Sequence, residues 1–234
     1  MQKILLALLF LAACAPCALA QDETPRAEFF IGYSNLQAES GFDSNNPDDE
    51  FFAEITDNRT GLHGVNASIT GYFSRRVGLT GDFSYHTKSE SDAFDASQIV
   101  CVQAPCTPVP GTVNVRTNVF NFLGGPQVKF TNTSRVEPFV RALAGVAHTR
   151  ARVRTSGFGD DFDTEFSDNS TDFALALGGG IDVRISDRVA IRAFQVDYNP
   201  VFLRSRDIDV FGSTERFDGR RLDNIRFSFG VVFR

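Results

Sequence analysis

The links between the strand-like segments of this chain alternate strictly between short and long. The segments are Ala27–Gln37, Leu62–Phe73, Val77–Lys88, Val113–Phe130, Val136–Val153, Thr171–Ile185, Val189–Tyr198 and Leu222–Phe233. Three links are short, SRR at 74–76, TNTSR at 131–135 and SDR at 186–188. Each ends in arginine followed by valine: Arg76-Val77, Arg135-Val136 and Arg188-Val189. The other four links, 38–61, 89–112, 154–170 and 199–221, are long. Both chain ends therefore fall on the short-link side. A soluble two-sheet sandwich has no reason for that asymmetry. A barrel crossing an outer membrane does, with short periplasmic turns and longer outside loops. Most segments are near the roughly 9–11 residues a tilted strand needs to cross a bilayer, and none shows helical periodicity. The pattern predicts an eight-stranded antiparallel up-and-down transmembrane β-barrel over residues 21–234.

Two-residue alternation gives each strand an apolar and a small or polar face. The last segment sets Ile225, Phe227, Phe229, Val231 and Phe233 against Asn224, Arg226, Ser228, Gly230 and Arg234, with Val232 as the exception. The third sets Val77, Leu79, Phe83 and Tyr85 against Gly78, Thr80, Asp82, Ser84 and His86. The sixth sets Phe173, Leu175, Leu177, Ile181 and Val183 against Ala174, Gly178, Gly180, Asp182 and Arg184. Small polar residues suit a narrow eight-strand lumen and rows of Phe, Leu and Val suit lipid. A soluble lipocalin-like lipid binder would reverse the faces, but its outer face should then be rich in Lys and Glu. With the small face inside, Glu28, Asp82, Arg141, Asp182, Arg184, Asp197 and Arg226 point into the lumen. Charges of both signs in so narrow a space are expected to pair and plug it. A proton or ion pathway is the alternative.

Two segments resist this scheme. Between Arg116 and Asn121 the polar parity changes, which predicts a bulge or a misplaced boundary. In VAIRAFQVDY, Arg192 and Asp197 fall on opposite faces, with Arg192 expected to snorkel to the periplasmic interface.

The first twenty residues form a signal peptide: Lys3, an apolar stretch, and the A-x-A site Ala18-Leu19-Ala20. A lipobox-like Leu11-Ala12-Ala13-Cys14 offers an alternative start at a lipidated Cys14. Either way the chain is exported. Its formal net charge of −6 argues against nucleic acid as a partner. Beyond the leader, Cys101 and Cys106 are expected to form a local disulfide, worth about 2 kcal/mol for so short a loop.

LGGGIDVRISDRVAIRAFQVDYNP, followed by a loop and NIRFSFGVVFR, resembles the closing strands of the small OmpA-like outer-membrane β-barrel proteins. GLTGDFSYH and VEPFVRALAGVAH resemble the earlier hairpins of that family. The resemblance covers residues 27–234. It implies residence in the outer membrane of a Gram-negative bacterium, among outer-membrane lipid and lipopolysaccharide. It also implies insertion by the barrel-assembly machinery, which would read the last strand through Ile225, Phe227, Phe229, Val231 and Phe233. Family members usually end in an aromatic residue, whereas here Arg234 follows Phe233.

Motifs for catalysis are missing: there is no G-x-S-x-G, H-E-x-x-H or phosphate loop. Some eight-stranded barrels modify lipid A, so His86, with Ser89 and Ser91, is weighed as a candidate near the outer rim and read as a plain rim histidine. DDFDTEFSD offers Asp161, Asp163, Glu165 and Asp168, but no Gly stands at the sixth loop position that a calcium loop requires. Loose divalent binding that bridges acidic loops to lipopolysaccharide phosphates is the alternative. No cofactor, metal or catalytic residue is assigned. The expected role is non-enzymatic, either envelope-structural or surface-binding, with an extracellular ligand taken by the loops. A narrow solute channel, a lipid A-modifying enzyme and a soluble periplasmic lipid binder are the competing readings.

Overall fold

A computed structural model describes residues 27–39, 59–95, 110–130, 134–156, 164–210, 213–217 and 219–234. The strands are β1 (Ala27–Glu39), β2 (Arg59–Tyr72), β3 (Val77–Asp95), β4 (Pro110–Lys129), β5 (Val136–Ser156), β6 (Thr164–Arg184), β7 (Val189–Phe202), β8 (Arg206–Val210), β9 (Ser213–Phe217) and β10 (Arg221–Phe233). Eight of them close a barrel in the order β1-β10-β7-β6-β5-β4-β3-β2, and every neighbouring pair is antiparallel. The seam joins the first strand to the last, from Phe29↔Phe233 to Gln37↔Ile225. Closure leaves no unpaired strand edge, which hydrocarbon would penalise.

The short links are turns of one kind at two of the three sites. Val77 O accepts from the backbone N–H of Phe73 and Ser74, and Val189 O accepts in the same way from Ile185 and Ser186. Ser74 Oγ also takes the Val77 N–H at 3.0 Å. The long links are shorter than the sequence pattern implies. β3 and β4 keep one register from Val77↔Val128 out to Asp95↔Pro110, and β5 and β6 pair from Val136↔Val183 out to Thr155↔Thr164. Much of 89–112 and 154–170 is therefore strand. Beyond the membrane a strand needs no apolar row, so its alternation fades while its backbone pairing continues. The link 199–221 likewise holds the small ribbon β8–β9.

The apolar rows face outward. Leu79, Ile69 and Phe229 are 63%, 59% and 55% exposed, while Ser84, Asn66 and Arg226 are fully buried. So many exposed large apolar side chains suit lipid, not water. The lipocalin-like alternative, which needs the opposite orientation, is thereby excluded. Aromatic rings gather toward the two ends of the apolar band: Phe29, Phe73, Phe130 and Phe233 toward the short turns, and Tyr33, Tyr85, Phe120 and Tyr198 toward the outside. Amphipathic rings collect at such interfaces.

β4 contains no bulge. Its register with β3 is unbroken, and Val119, Asn121, Leu123, Gln127 and Lys129 all point inward. Arg116 and Asn118 share the outward face with Phe120 and Phe122 but stand beyond the lipid band. The change of polarity marks the membrane boundary. The irregularity lies instead in β7, where both ladders shift around Ala193: Gln195 pairs Ser228 but Arg192 pairs Gly230, and Phe194 pairs Ile181 but Arg192 pairs Asp182. One extra residue re-aims every side chain beyond it.

Candidate functional site: the charged lumen

Because Ala193 bulges, Arg192 and Asp197 both enter the lumen, buried at 2% and 0% exposure. Arg192 does not snorkel, contrary to the parity count. The interior is layered. At mid-height Asp82, Arg141, Asp197 and Arg226, from β3, β5, β7 and β10, form a neutral quartet. Arg141 donates Nε and Nη2 to the two oxygens of Asp197 at 3.0 and 2.7 Å, and Nη1 to Asp82 Oδ2 at 3.0 Å. Arg226 donates Nη1 to Asp82 Oδ1 at 2.8 Å and to Ser84 Oγ at 2.9 Å, and Nη2 to Asp197 Oδ2 at 3.0 Å. Asn66 Nδ2 completes Asp82 at 3.0 Å. Each carboxylate thus meets both guanidinium groups, the arrangement that offsets the heavy desolvation cost of buried charge.

Nearer the short turns lies a second, larger layer. Lys129 Nζ pairs with Glu28 and, at 2.9 Å, with Asp182. Tyr72 OH donates to Glu28 Oε2 at 2.9 Å, and Gln127 donates to Tyr72 at the same distance. Arg192 donates Nε to Asp182 Oδ1 at 2.8 Å, with its guanidinium between the rings of Phe30 and Phe139, 4.3 and 4.1 Å from their centroids. Such stacking holds a cation where water is absent. Arg184 and Arg234 both pair with Glu137, and Arg234 also reaches Glu28 at 2.9 Å. Arg184 is half-exposed at the turn end. Gln195 joins the layers by accepting from Arg192 Nη1 at 2.7 Å and donating to Asp197 Oδ2 at 2.8 Å.

All seven charged residues expected in the lumen, Glu28, Asp82, Arg141, Asp182, Arg184, Asp197 and Arg226, therefore make ion pairs on the inner wall, six of them buried. Four others escaped sequence reasoning: Lys129, Glu137, Arg192 and Arg234. Three of them carried a readable signal, Arg234 by sharing the parity of Arg226. Glu137 shares the parity of Arg141, and Lys129 shares that of Asn121. Arg192 was masked by the bulge.

Above the quartet the lumen turns apolar. Leu123, Leu143, Ala147, Ala174, Ala176 and Val201 form one cluster, and Leu36, Leu62 and Val119 another. The interior is thus not uniformly small and polar. A cavity of about 280 Å³ opens among Leu36, Leu62, Val119, Leu203 and Leu222.

His86 is not at the rim. It is fully buried beneath this layer, with Nε2 2.9 Å from Ser34 Oγ, which lies 2.9 Å from Ser228 Oγ. Cys101, Cys106, Asp161, Asp163 and the signal segment 1–20 lie outside the described residues. Glu165 is taken up by Arg152 and Arg154. On β10, Phe227, Phe229 and Phe233 are exposed toward lipid, and Ile225 and Val231 are partly covered on the same face.

The family model described as outer membrane protein beta-barrel domain matches residues 5–234. No curated protein sequence matches the chain. Among solved structures, the attachment invasion locus protein Ail of Yersinia pestis, in complex with the heparin analogue sucrose octasulfate, is 14% identical with a TM-score of 0.47, over 88% of this chain and 97% of that one. The outer membrane protease OmpT of Escherichia coli is 8% identical with a TM-score of 0.48, over 93% and 99%. The outer membrane protein OprG of Pseudomonas aeruginosa is 10% identical with a TM-score of 0.46, over 90% and 96%.

Proposed function

The chain belongs to the outer membrane protein β-barrel domain family and resides in the outer membrane of a Gram-negative bacterium, and from that premise we propose that it is a sealed, non-enzymatic barrel that works at its outer end. The observation that carries this reading is the pair of interlocked charge layers. Asp82, Arg141, Asp197 and Arg226 have side chains with no exposed surface, and their alternation of sign leaves no unpaired group for an ion to recruit. Moving an ion through would require parting buried pairs in a narrow, low-dielectric space, which costs several kcal/mol per pair. The barrel then serves as an anchor, and the extracellular continuations of β3–β6 supply the surface for an envelope-structural or ligand-binding role.

Assembly belongs to the same proposal. β10 closes on β1 and carries an outward row from Ile225 to Phe233. The barrel-assembly machinery would capture it by edge pairing, with alternate side chains in pockets.

Liposome swelling tests the sealed lumen. Vesicles carrying the purified protein should admit small sugars and amino acids no faster than protein-free vesicles. Rapid swelling would favour the channel reading instead.

A further inference from the structure

The outer wall of the barrel carries an arginine patch where β4 and β5 leave the membrane. On β5 the outward residues run Val136, Pro138, Val140, Ala142, Ala144, Val146, His148, Arg150, Arg152 and Arg154. The apolar members span ten residue steps, which for a strand tilted about 40° accounts for a band roughly 25 Å tall. His148 therefore stands at the outer interface, and each further outward residue adds roughly 5 Å of height. On β4, Phe120 pairs His148, Asn118 pairs Arg150 and Arg116 pairs Arg152, so three arginines occupy the first ranks above the band.

Their charge is not balanced. Arg116 and Arg152 stand directly opposite each other, a pairing that is destabilising between like charges unless an anion joins them. Arg116 has no acidic partner among the described residues, and Arg150 donates Nε only to the neutral Asn169, at 2.9 Å. Glu165 serves both Arg152, at 3.2 Å, and Arg154, at 2.5 Å. The Arg154 hydrogen bond, with its charge, holds the Glu165 carboxyl below its ordinary range. Neighbouring strands place neutral side chains on these ranks, Thr87 and Ser89 on β3, and Ser167, Asn169 and Thr171 on β6. Across the barrel Arg221 is matched by Asp223 at 2.8 Å. Among the described residues, this wall thus carries a surplus of positive charge at headgroup height.

We propose that Arg116, Arg150 and Arg152 form a binding site on the outer wall for the phosphate groups of an outer-leaflet glycolipid of the lipid A class. Planar guanidinium groups bind phosphate through paired, charge-assisted hydrogen bonds, and the apolar wall below, with Phe120, Phe122 and Val146, lies where acyl chains would pack. A soluble anion would find no such wall. The inference stands apart from the sealed lumen, since it uses residues of the opposite face.

The test is native mass spectrometry of the full-length protein in phospholipid nanodiscs, titrated with bisphosphorylated lipid A, with chemically dephosphorylated lipid A, and with a soluble heparin oligosaccharide. A heat-shift gel confirms folding of each variant. Wild type should retain bisphosphorylated lipid A and lose it with added salt. Arg116→Gln/Arg150→Gln/Arg152→Gln should bind it at least about tenfold more weakly. The triple lysine variant should recover part of that loss, and Arg221→Gln should match wild type. Equal retention by the triple glutamine variant, or of dephosphorylated lipid, would overturn the site. Preference of wild type for the heparin oligosaccharide would reassign the patch to a soluble glycan.

Discussion

Arg226 and Asp197 are register partners on β10 and β7 and face each other across the lumen wall at 3.0 Å, with Asp82 and Arg141 completing the ring. Removing one charge strands another. Arg226→Gln should destabilise the folded barrel by about 3–5 kcal/mol, because two buried aspartates then share Arg141 alone. Asp82→Asn/Arg226→Gln leaves a neutral pair and should be more stable than the sum of the two single changes predicts. Denaturant unfolding in lipid vesicles measures both. Simple additivity would show that the four residues do not act as a unit.

Phe229 and Ser228 separate the two faces. Phe229→Arg, near mid-membrane on the lipid side, should cost about 2–4 kcal/mol. Ser228→Ala, inside, should cost much less. Equal costs in the same vesicle assay would reverse the face assignment.

The bulge at Ala193 allows β7 to serve both charge layers. Deleting Ala193 leaves Arg192 and Asp197 an even number of residues apart, so strict alternation keeps both inward, Arg192 on Asp182 and Asp197 on Arg226. Neither buried charge then faces lipid or loses its partner. Folded yield by heat-shift gel should stay close to that of wild type. Replacing Ala193 by glycine retains the extra residue and should fold. A deletion variant that fails to fold would mean that the bulge does more than bring Arg192 and Asp197 to one face.

Phe233 sits at the turn-side interface, 47% exposed. Phe233→Ala should slow assembly in cells while barely changing the stability of protein refolded in detergent. Folded barrel per total protein in outer-membrane fractions reports the first, and detergent unfolding the second. Normal assembly would leave Phe233 a closing role without a signalling one.

The number of barrel strands, their order and the two faces were legible in the sequence, because a two-residue period under lipid on one side and a narrow lumen on the other constrains nearly every position of a strand such as β10. Three features were not legible. The bulge at Ala193 shows only when both flanking ladders are known, so parity sent Arg192 to the wrong face. The extensions of β3–β6 beyond the membrane lose their apolar row, so Arg116 read as a bulge or misplaced boundary and Arg154 as loop although their backbones stay paired. His86 has the parity of Ser84 and Asp82, but the barrel wall on β3 continues beyond the membrane as far as Asp95, so a residue in the polar run SYHTKSES lies inside the lumen and not at its rim. Site residues such as Asp82 and Arg141 announced themselves as charges on a small-residue face. Their partners depended on which strands meet across the lumen.

The most direct test of the sealed barrel is ion conductance in planar bilayers, recorded for wild type beside Arg141→Ala/Arg226→Ala. Wild type should pass no steady current, because the quartet and the Lys129 layer close the path in series. The double variant should pass measurable, flickering current if it inserts, since two carboxylates are left without partners. Large, steady conductance from the unmodified protein would contradict the account.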